Sequence, residues 1–296
     1  MSEGWTALAG AIAEATDLRV ATRPAERVSG GIRDEAWRWP SKGGAIFVKL
    51  APAPALPRLA SEAAQLKTLA TTETVRVPAV LGHGVNGATA WLALEWLELA
   101  EPDARAEAGL GEALARLHRR TGPRFGYDRD NFIGAMPQAN GWLDDPVAFV
   151  TTRRLAPQLA LARANGYGAW LDERGARLLE AVPALYGSYR PVASLLHGDL
   201  WAGNRGALPD GRAVVFDPAS YYGDREADLA MTRLFGGFGA AFQAAYRDAW
   251  PLEEGALVRE GLHTLYHVLN HLNLFGRNYL AQARALIDRL LAEAGA

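Results

Sequence analysis

The sequence carries its clearest functional pattern in Leu195-Leu196-His197-Gly198-Asp199-Leu200-Trp201-Ala202-Gly203-Asn204, which Ala213-Val214-Val215-Phe216-Asp217 follows. The second run is short and rich in β-branched residues, which predicts a strand that ends at an aspartate. Asn204 lies five residues after Asp199, and Asp217 lies eighteen residues after it. A carboxylate, an amide and a second carboxylate are therefore placed in one loop and at the end of one strand.

This combination of residue types and spacings is typical of phosphoryl transfer from ATP. That reaction needs a carboxylate that orients the accepting hydroxyl, and oxygen ligands that hold magnesium (Mg2+) against the phosphates. We expect Asp199 to fill the first role, and Asn204 and Asp217 to fill the second. Each piece alone could be an ordinary turn or strand end, but the shared spacing matches the catalytic loop, strand and metal aspartate of protein kinases.

Composition agrees with such an enzyme and argues against several other classes. Of the 296 residues, 49% are hydrophobic and 22% are charged, which predicts a globular chain. The formal net charge of −2 argues against a nucleic-acid or anionic-membrane partner. The lack of cysteine excludes disulfides, a thiolate nucleophile and cysteine-bound zinc. We expect a cytoplasmic protein, because we find neither a signal peptide nor a long apolar run.

The N-terminal part predicts a small β-rich lobe. An amphipathic helix is expected over residues 2–16, followed by strands over 19–28, 32–39 and 45–50. Ser29-Gly30-Gly31 lies between the first two strands, where backbone without Cβ can approach a phosphate closely. A hairpin turn is the plainer explanation of these glycines on their own.

A lysine and a glutamate in this part could clamp phosphates. Lys49 closes the third expected strand, and Glu62 lies thirteen residues later in a helix expected over 58–70. In kinases a Lys–Glu pair holds the lysine against the nucleotide phosphates. Either residue alone could be a solvated surface charge. Their order upstream of the Asp199 loop favours the pair.

The lobes are expected to meet at a hinge after a strand over 88–94. The backbone of Glu95-Trp96-Leu97 would suit the adenine edge of ATP. We therefore predict an α+β, protein-kinase-like two-lobe fold, with residues 1–95 as the nucleotide-binding lobe and 96–296 as a larger, mostly helical catalytic and substrate lobe. Seven helices are expected in the larger lobe, over 107–120, 146–164, 170–186, 226–234, 240–249, 255–274 and 279–293.

Several longer runs match the pattern of one family. They are His197-Gly198-Asp199-Leu200-Trp201-Ala202-Gly203-Asn204, Asp217-Pro218-Ala219-Ser220-Tyr221-Tyr222-Gly223-Asp224-Arg225-Glu226, Asp228-Leu229-Ala230-Met231, Leu234-Phe235-Gly236-Gly237-Phe238, Tyr266-His267-Val268-Leu269-Asn270-His271-Leu272-Asn273-Leu274-Phe275-Gly276, Phe125-Gly126, Asn131-Phe132-Ile133-Gly134 and Gln138-Ala139-Asn140. In these runs the chain resembles the fructosamine kinases, or ketosamine 3-kinases, of the aminoglycoside-phosphotransferase-like branch of the kinase fold. The resemblance spans nearly the whole chain.

The resemblance implies a role for each matched residue. Asp199 resembles the catalytic base of the family, Asn204 and Asp217 its magnesium ligands, and Lys49 its ATP-phosphate lysine, paired with Glu62. Glu95-Trp96-Leu97 falls where the family binds adenine, and Asp228 where related kinases brace the catalytic-loop backbone. Ile32 stands where many members have cysteine. Thiol-based control through that loop is therefore excluded here.

Substrate contacts are less sharply indicated. Trp201 could stack on a sugar or simply pack its loop, and the first reading is favoured. His263, His267 and His271 recur every four residues and would share one helical face. Zinc binding there is disfavoured because no acidic partner accompanies them. Lining or bracing of a sugar site by His267 and His271 is preferred, and His118 is expected to be a packing or hydrogen-bonding residue.

The resemblance implies an ATP- and magnesium-dependent kinase acting on the sugar 3-hydroxyl of ketosamines, free or on glycated proteins. Fructosamine, ribulosamine and erythrulosamine adducts are all compatible substrates, and deglycation is the expected result. Another small-molecule kinase, acting on an aminoglycoside or an amino alcohol, is the alternative. A hypothesis from a different functional class is a catalytically inactive pseudokinase that binds a nucleotide or a partner. The intact set of Lys49, Asp199, Asn204 and Asp217 argues against it.

Overall fold

A computed structural model describes residues 2–24, 26–28 and 34–296. Its packing divides the chain into two compact units, residues 1–110 with 203–218, and residues 111–202 with 219–296. The predicted phosphate-binding Gly30 and Gly31, and Ile32 beside them, lie outside the described residues. Within the described ranges, no helix is long and apolar enough to cross a membrane.

The first unit is built on an antiparallel sheet. Its strands are β1 (Glu26–Val28), β2 (Glu35–Ser41), β3 (Gly44–Pro52), β4 (Val80–Asn86) and β5 (Thr89–Glu95), and their order in the sheet is β1-β2-β3-β5-β4. Helices α1 (Ser2–Thr16) and α2 (Leu56–Thr71) pack on this sheet. Buried apolar side chains from α1 and from the strands form its core, among them Ile12, Trp39, Val48 and Trp91.

Two strands of this sheet differ from the sequence prediction. Among the described residues of the strand expected over 19–28, only Glu26–Val28 are in the strand, because Pro24 has no N–H to donate to a ladder. Val20 instead makes an isolated bridge to Ser41. β4 was not predicted, because its glycines, Gly82 and Gly84, have low strand propensity.

Residues 203–218 add a hairpin to the first unit. β9 (Arg205–Ala207) pairs antiparallel with β10 (Ala213–Val215), and Ala207 bridges to Ala100. The predicted strand over 213–217 thus ends at Val215. Asp217 follows in a left-handed backbone conformation, with φ of 55°.

The second unit is mostly helical. Helix α3 (Ala104–His118) enters it from the first unit, and the other helices are α4 (Pro146–Phe149), α5 (Ala156–Ala162), α6 (Gly168–Tyr186), α7 (Glu226–Leu234), α8 (Ala240–Ala249), α9 (Ala256–Phe275) and α10 (Leu280–Glu293). α9 packs against α5, α6, α7 and α10. Buried leucines and isoleucines of α6, α9 and α10 fill the core, including Leu178, Leu265, Leu269 and Ile287.

The helix predicted over 146–164 is interrupted. After α4 the backbone forms a π-helical segment at Val150–Leu155, then α5, then a second π-helical segment at Arg163–Tyr167. Gly166, with φ of 86°, breaks the helical path before α6. Hydrophobic spacing predicted helix here but could not distinguish α from π turns, which differ by one residue per hydrogen-bonded turn.

Two short antiparallel pairs complete the second unit. β6 (Asn131–Ile133) pairs with β7 (Met136–Gln138), and β8 (Ser194–Leu195) pairs with β11 (Tyr222–Gly223). The second pair brings the chain just before the His197–Asp199 loop beside the segment that follows Ala219. These strands have too few residues to produce an alternation of apolar and polar residues that could be recognised in the sequence.

Candidate active site

In the first unit a buried lysine lies between two carboxylates. Lys49 is on β3, where it pairs in register with Ala36 and Leu92, and it is 9% exposed. Its Nζ donates to Glu62 Oε1 on α2 at 2.7 Å and to Asp217 Oδ1. A carboxylate of α2 and one that lies two residues beyond the β9–β10 hairpin thus converge on one ammonium group of the sheet.

The charges of this cluster are set by two opposed effects. Burial lowers the pKa of Lys49, but the carboxylates of Asp217 and Glu62 more than offset it, so its pKa lies above its usual value. Burial raises the pKa of the Glu62 carboxyl to about 7, against the opposing pull of the Lys49 ammonium. Lys49 therefore stays a cation, which is the charge that a phosphate group requires.

Asp217 and Asn204 present the oxygen atoms that a hard cation prefers. Asn204 ends a 3-10 turn at Ala202–Asn204 and is 5% exposed, while the Asp217 side chain is 43% exposed. Asn204 Nδ2 donates to the main-chain oxygen of Asp217 at 3.4 Å. Because this bond engages the amide nitrogen, the amide oxygen is the atom that Asn204 can offer to a metal. Carboxylate and amide oxygens suit magnesium, so the donor set fits the predicted ion.

The segment predicted to read adenine is anchored by its first residue. Both carboxylate oxygens of Glu95 accept from Arg76 at 2.6 Å, and the Ala79 N–H donates to the same group at 3.0 Å. The Glu95 main-chain N–H donates to Ala79 O at 2.8 Å. That N–H is used within the sheet, so a hydrogen bond donated to adenine would come from Leu97. Arg76 was missed by sequence reasoning, since no local spacing links it to Glu95.

In the second unit the catalytic-loop backbone is held by a buried carboxylate. Asp228, on α7, accepts from the His197 N–H at 2.7 Å and from the Gly198 N–H at 2.8 Å. Gly198 has φ of 87°, and a Cβ there would lie 2.1 Å from the main-chain oxygen of Ala219. Only glycine fits at this position. The peptide just before the half-buried Asp199 is therefore fixed.

His118 extends this support through the helices. Its Nε2 lies 3.1 Å from Asp228 Oδ2, and its Nδ1 lies 2.8 Å from the Tyr246 hydroxyl on α8. Burial would raise the pKa of Asp228, but the His118 hydrogen bond and neighbouring donors hold it below its usual value. Asp228 is thus a carboxylate at neutral pH, and His118 is a hydrogen-bonding residue, as its sequence context suggested.

Two of the three tentative substrate residues belong to one aromatic cluster. The ring of Trp201 lies 6.4 Å from that of Phe235, edge to face, and Phe235 lies 4.9 Å from His271. The ring centroid of His271 also lies 5.3 Å from that of Phe275, and His271 is half-buried. Phe235 is 42% exposed. Phe235 lies in one of the runs that match the family pattern, but nothing in the sequence indicated its contact with Trp201 and His271.

His267 has a different environment from His271. It is 2% exposed, and its main-chain oxygen accepts from His271 Nδ1 at 2.8 Å. Burial, with a further contribution from His271, lowers the pKa of His267 to about 3, so its ring is neutral. His263 lies 3.5 Å from Asp224 instead. The three histidines of α9 therefore have separate partners, and His267 fits a bracing role better than direct contact.

Comparison with solved structures defines the class of the protein. An aminoglycoside phosphotransferase shares the fold with a TM-score of 0.59 at 16% identity, covering 92% of this chain and 94% of its own. The protein has a protein-kinase-like two-lobe fold, with a small β-rich N-terminal lobe and a larger, mostly helical C-terminal lobe. A provisionally assigned fructosamine-3-kinase from Thermobifida fusca matches with a TM-score of 0.84 at 31% identity, covering 97% of this chain and 99% of its own.

The sequence comparisons then show the family. A family profile described as fructosamine kinase matches residues 4–293, and the chain belongs to that family. A probable ketoamine kinase of Synechocystis is 40% identical over 288 residues, which cover 97% of each chain. The chloroplastic protein-ribulosamine 3-kinase of Arabidopsis thaliana is 34% identical, covering 89% of this chain and 81% of its own. The protein is a phosphotransferase of the ketosamine kinase type, and the kinase fold implies ATP use.

Proposed function

We propose that this enzyme transfers the γ-phosphoryl group of ATP to the 3-hydroxyl of a ketosamine sugar, on a small amine, an amino acid or a glycated protein. The observation that carries the proposal is the buried Lys49 ammonium between Glu62 and Asp217. A permanent cation beside a hard-oxygen ligand is what a magnesium–triphosphate complex needs. Relatives described as ketoamine and protein-ribulosamine kinases support the choice of acceptor.

Each side chain has one task in this reaction. Asp199 orients the sugar hydroxyl and accepts its proton, while Lys49, steered by Glu62, neutralises phosphate charge. Asn204 and Asp217 would hold magnesium, which supplies further positive charge to the phosphates when it is bound. The Glu95–Leu97 backbone binds adenine, and Trp201 and His271 contact the sugar. Little covalent chemistry falls to the protein.

The product of this reaction should be unstable. Phosphate on the third carbon lies next to the ketone carbon. Loss of a proton from the first carbon gives an enol with a double bond between the first and second carbons. The nitrogen lone pair then forms a C=N bond to the first carbon, the enol pair shifts to the bond between the second and third carbons, and inorganic phosphate leaves from the third carbon. Water then hydrolyses the resulting imine at the first carbon and releases the free amine. Phosphorylation would therefore lead to deglycation without a second enzyme-catalysed step.

The test is a timed reaction of the protein with ATP, magnesium and a glycated peptide, followed by mass spectrometry. We expect a phosphorylated adduct first, and then the free peptide amine with inorganic phosphate. Ketosamines of six-, five- and four-carbon sugars are run beside aminoglycosides and amino alcohols. Phosphorylation of one of these other alcohols, with no adduct on any ketosamine, would overturn the substrate assignment. Absence of ADP release with every acceptor would favour a pseudokinase.

A further inference from the structure

A buried chain of hydrogen bonds in the second unit has one fixed polarity. Arg154 can only donate, and its NH2 group donates to Asn140 Oδ1 at 2.7 Å. Asn140 must then present its nitrogen to Asn131 Oδ1, also at 2.7 Å. Asn131 in turn donates from Nδ2 to the main-chain oxygen of Ser220 at 2.7 Å. The guanidinium thus sets the orientation of both asparagine amides.

Gln138 forms a second branch with the same polarity. Its Nε2 donates to Asn131 Oδ1 at 2.8 Å and to the main-chain oxygen of Ala219 at 3.1 Å. Its Oε1 accepts from the Tyr266 hydroxyl at 2.7 Å. Gln138 and Asn131 are 2% and 1% exposed, so water does not compete for these bonds. Reversing either amide would place like groups against each other.

Both branches end on the segment that pairs with the catalytic loop. The Ala219 N–H donates to His197 O at 2.9 Å, and the Leu196 N–H donates to Tyr221 O at 3.0 Å. Main-chain groups of Ala219 and Tyr221 therefore hold the backbone just before Asp199. The carbonyl groups of Ala219 and Ser220 are in turn held by Gln138 and Asn131. The amides fix the segment, and the segment fixes the loop.

Arg154, from which these hydrogen bonds begin, is itself held in a fixed position. Arg154 is 2% exposed and lies on the π-helical segment Val150–Leu155, a turn type that recurs at functional sites. Its guanidinium lies 3.9 Å from the ring centroid of Tyr221 and 4.6 Å from that of Phe149. Cation–π attraction of this kind stabilises a buried guanidinium, so its position is constrained on several sides.

We propose that Gln138 and Asn131, oriented by Arg154, are positioning residues that set the placement of Asp199 through the 219–221 segment. This rests on the proposed role of Asp199. The runs Asn131–Gly134 and Gln138–Asn140, which match the family pattern and to which the sequence assigns no role in phosphate or metal binding, acquire a function in this way. The residues act on kcat through loop geometry and make no contact with the reactants.

The test compares two buried glutamines of the same unit. Gln138→Met removes both donors, while Gln158→Met is the control, since Gln158 bonds only to Asn270 and Asn273 among the described contacts. We expect Gln138→Met to lower kcat on the order of 10- to 100-fold, the size of effect that a small misplacement produces, without a matching rise in KM for ATP. Gln158→Met should lower Tm alone.

Hydrogen exchange gives a readout that does not depend on activity. The amides of Leu196 and Ala219 should exchange faster in Gln138→Met than in Gln158→Met. Gln138→Glu, which keeps the side-chain shape and loses the donating nitrogen, must show the same fall in kcat and serves if the methionine variant does not fold. Wild-type kcat and exchange in both Gln138 variants would overturn the proposal. Faster exchange together with an active Asp199→Asn would overturn the role of Asp199 instead.

Discussion

Asp199 follows a backbone segment held by the Asp228 carboxylate and by the Ala219 N–H, so its side chain starts from a fixed backbone. Asp199→Asn keeps the size of the side chain but cannot accept the hydroxyl proton. We expect turnover to fall roughly 100-fold or more, as is usual when a general base is removed, with ATP binding retained. Steady-state kinetics beside ATP titration measures both. Near-normal turnover would contradict the assignment.

Asp217 is both a proposed magnesium ligand and a partner of Lys49, so a test of the magnesium site needs a control that changes the lysine pair alone. Asp217→Ala removes a carboxylate ligand and should weaken magnesium-dependent nucleotide binding, and Asn204→Ala should do so more mildly. Titration of ATP at varied magnesium concentration measures the effect. Glu62→Gln is the control, because it weakens the Lys49 pair and leaves both ligands in place. Unchanged magnesium dependence in both ligand variants would argue against the site.

At the residue scale, sequence spacing indicates chemistry but not partners. Lys49, Glu62 and Asp217 were selected by their order along the chain, and the structure brings them together. The pairing of Arg76 with Glu95 and the bonds of Gln138 to Ala219 could not be predicted. These contacts join residues 19 and 81 positions apart, and no helical or strand period relates such positions.

At the scale of elements, α7 supports the catalytic loop through one buried residue. Asp228 accepts hydrogen bonds from His197, Gly198 and His118, and it is 1% exposed. Asp228→Asn would turn an NH2 group towards donors and remove the charge that they stabilise. We expect a loss of about 3 kcal/mol in the free energy of unfolding, typical of a broken buried charge network.

Urea unfolding measures this loss. Asp210→Asn is the matched control, because Asp210 is exposed and pairs only with Arg212 among the described contacts. Exposed pairs of this kind contribute little to stability, so the control should unfold close to the wild type. An Asp228 variant as stable as the control would show that the backbone donors find other partners.

Element prediction succeeded for several helices of the second unit and failed where strands were short. The helices expected over 226–234 and 240–249 match α7 and α8 residue for residue. The strands β6, β8 and β11 have only two or three residues, which gives no alternation to detect. Their positions depend on tertiary pairing, such as that of Tyr222 with Leu195.

At the scale of the whole molecule, the catalytic-loop spacing and the family resemblance predicted a kinase fold, and the β-rich start and helical remainder predicted the make-up of its two lobes. The division at residue 95, with nucleotide binding before it and substrate binding after it, stays a prediction. Packing assigns residues 203–218 to the first unit, although they are distant in sequence. A return of the chain to an earlier unit leaves no mark in composition or hydrophobic period.

Stability against acid depends on a neutral histidine in the core of the second unit. Burial, with smaller contributions from His271, His263 and Arg154, lowers the pKa of His267 to about 3, while Asp228 acts in the opposite direction. In the unfolded chain the pKa of histidine is about 6.5. Between these values the unfolded state binds a proton that the folded state does not, so stability falls as the pH falls from about 6.5.

His267→Gln removes this group, and we expect the stability of the variant to depend less steeply on pH below about 6.5 than that of the wild type. One proton corresponds to about 1.4 kcal/mol per pH unit, which is the largest difference in slope that the substitution can produce. Urea unfolding at a series of pH values measures both slopes. His83→Gln, at an exposed histidine, is the matched control and should change the slope less. If stability falls with pH equally steeply in the wild type and in His267→Gln, the prediction is wrong. The His267 ring would then have the same pKa in the folded protein as in the unfolded chain.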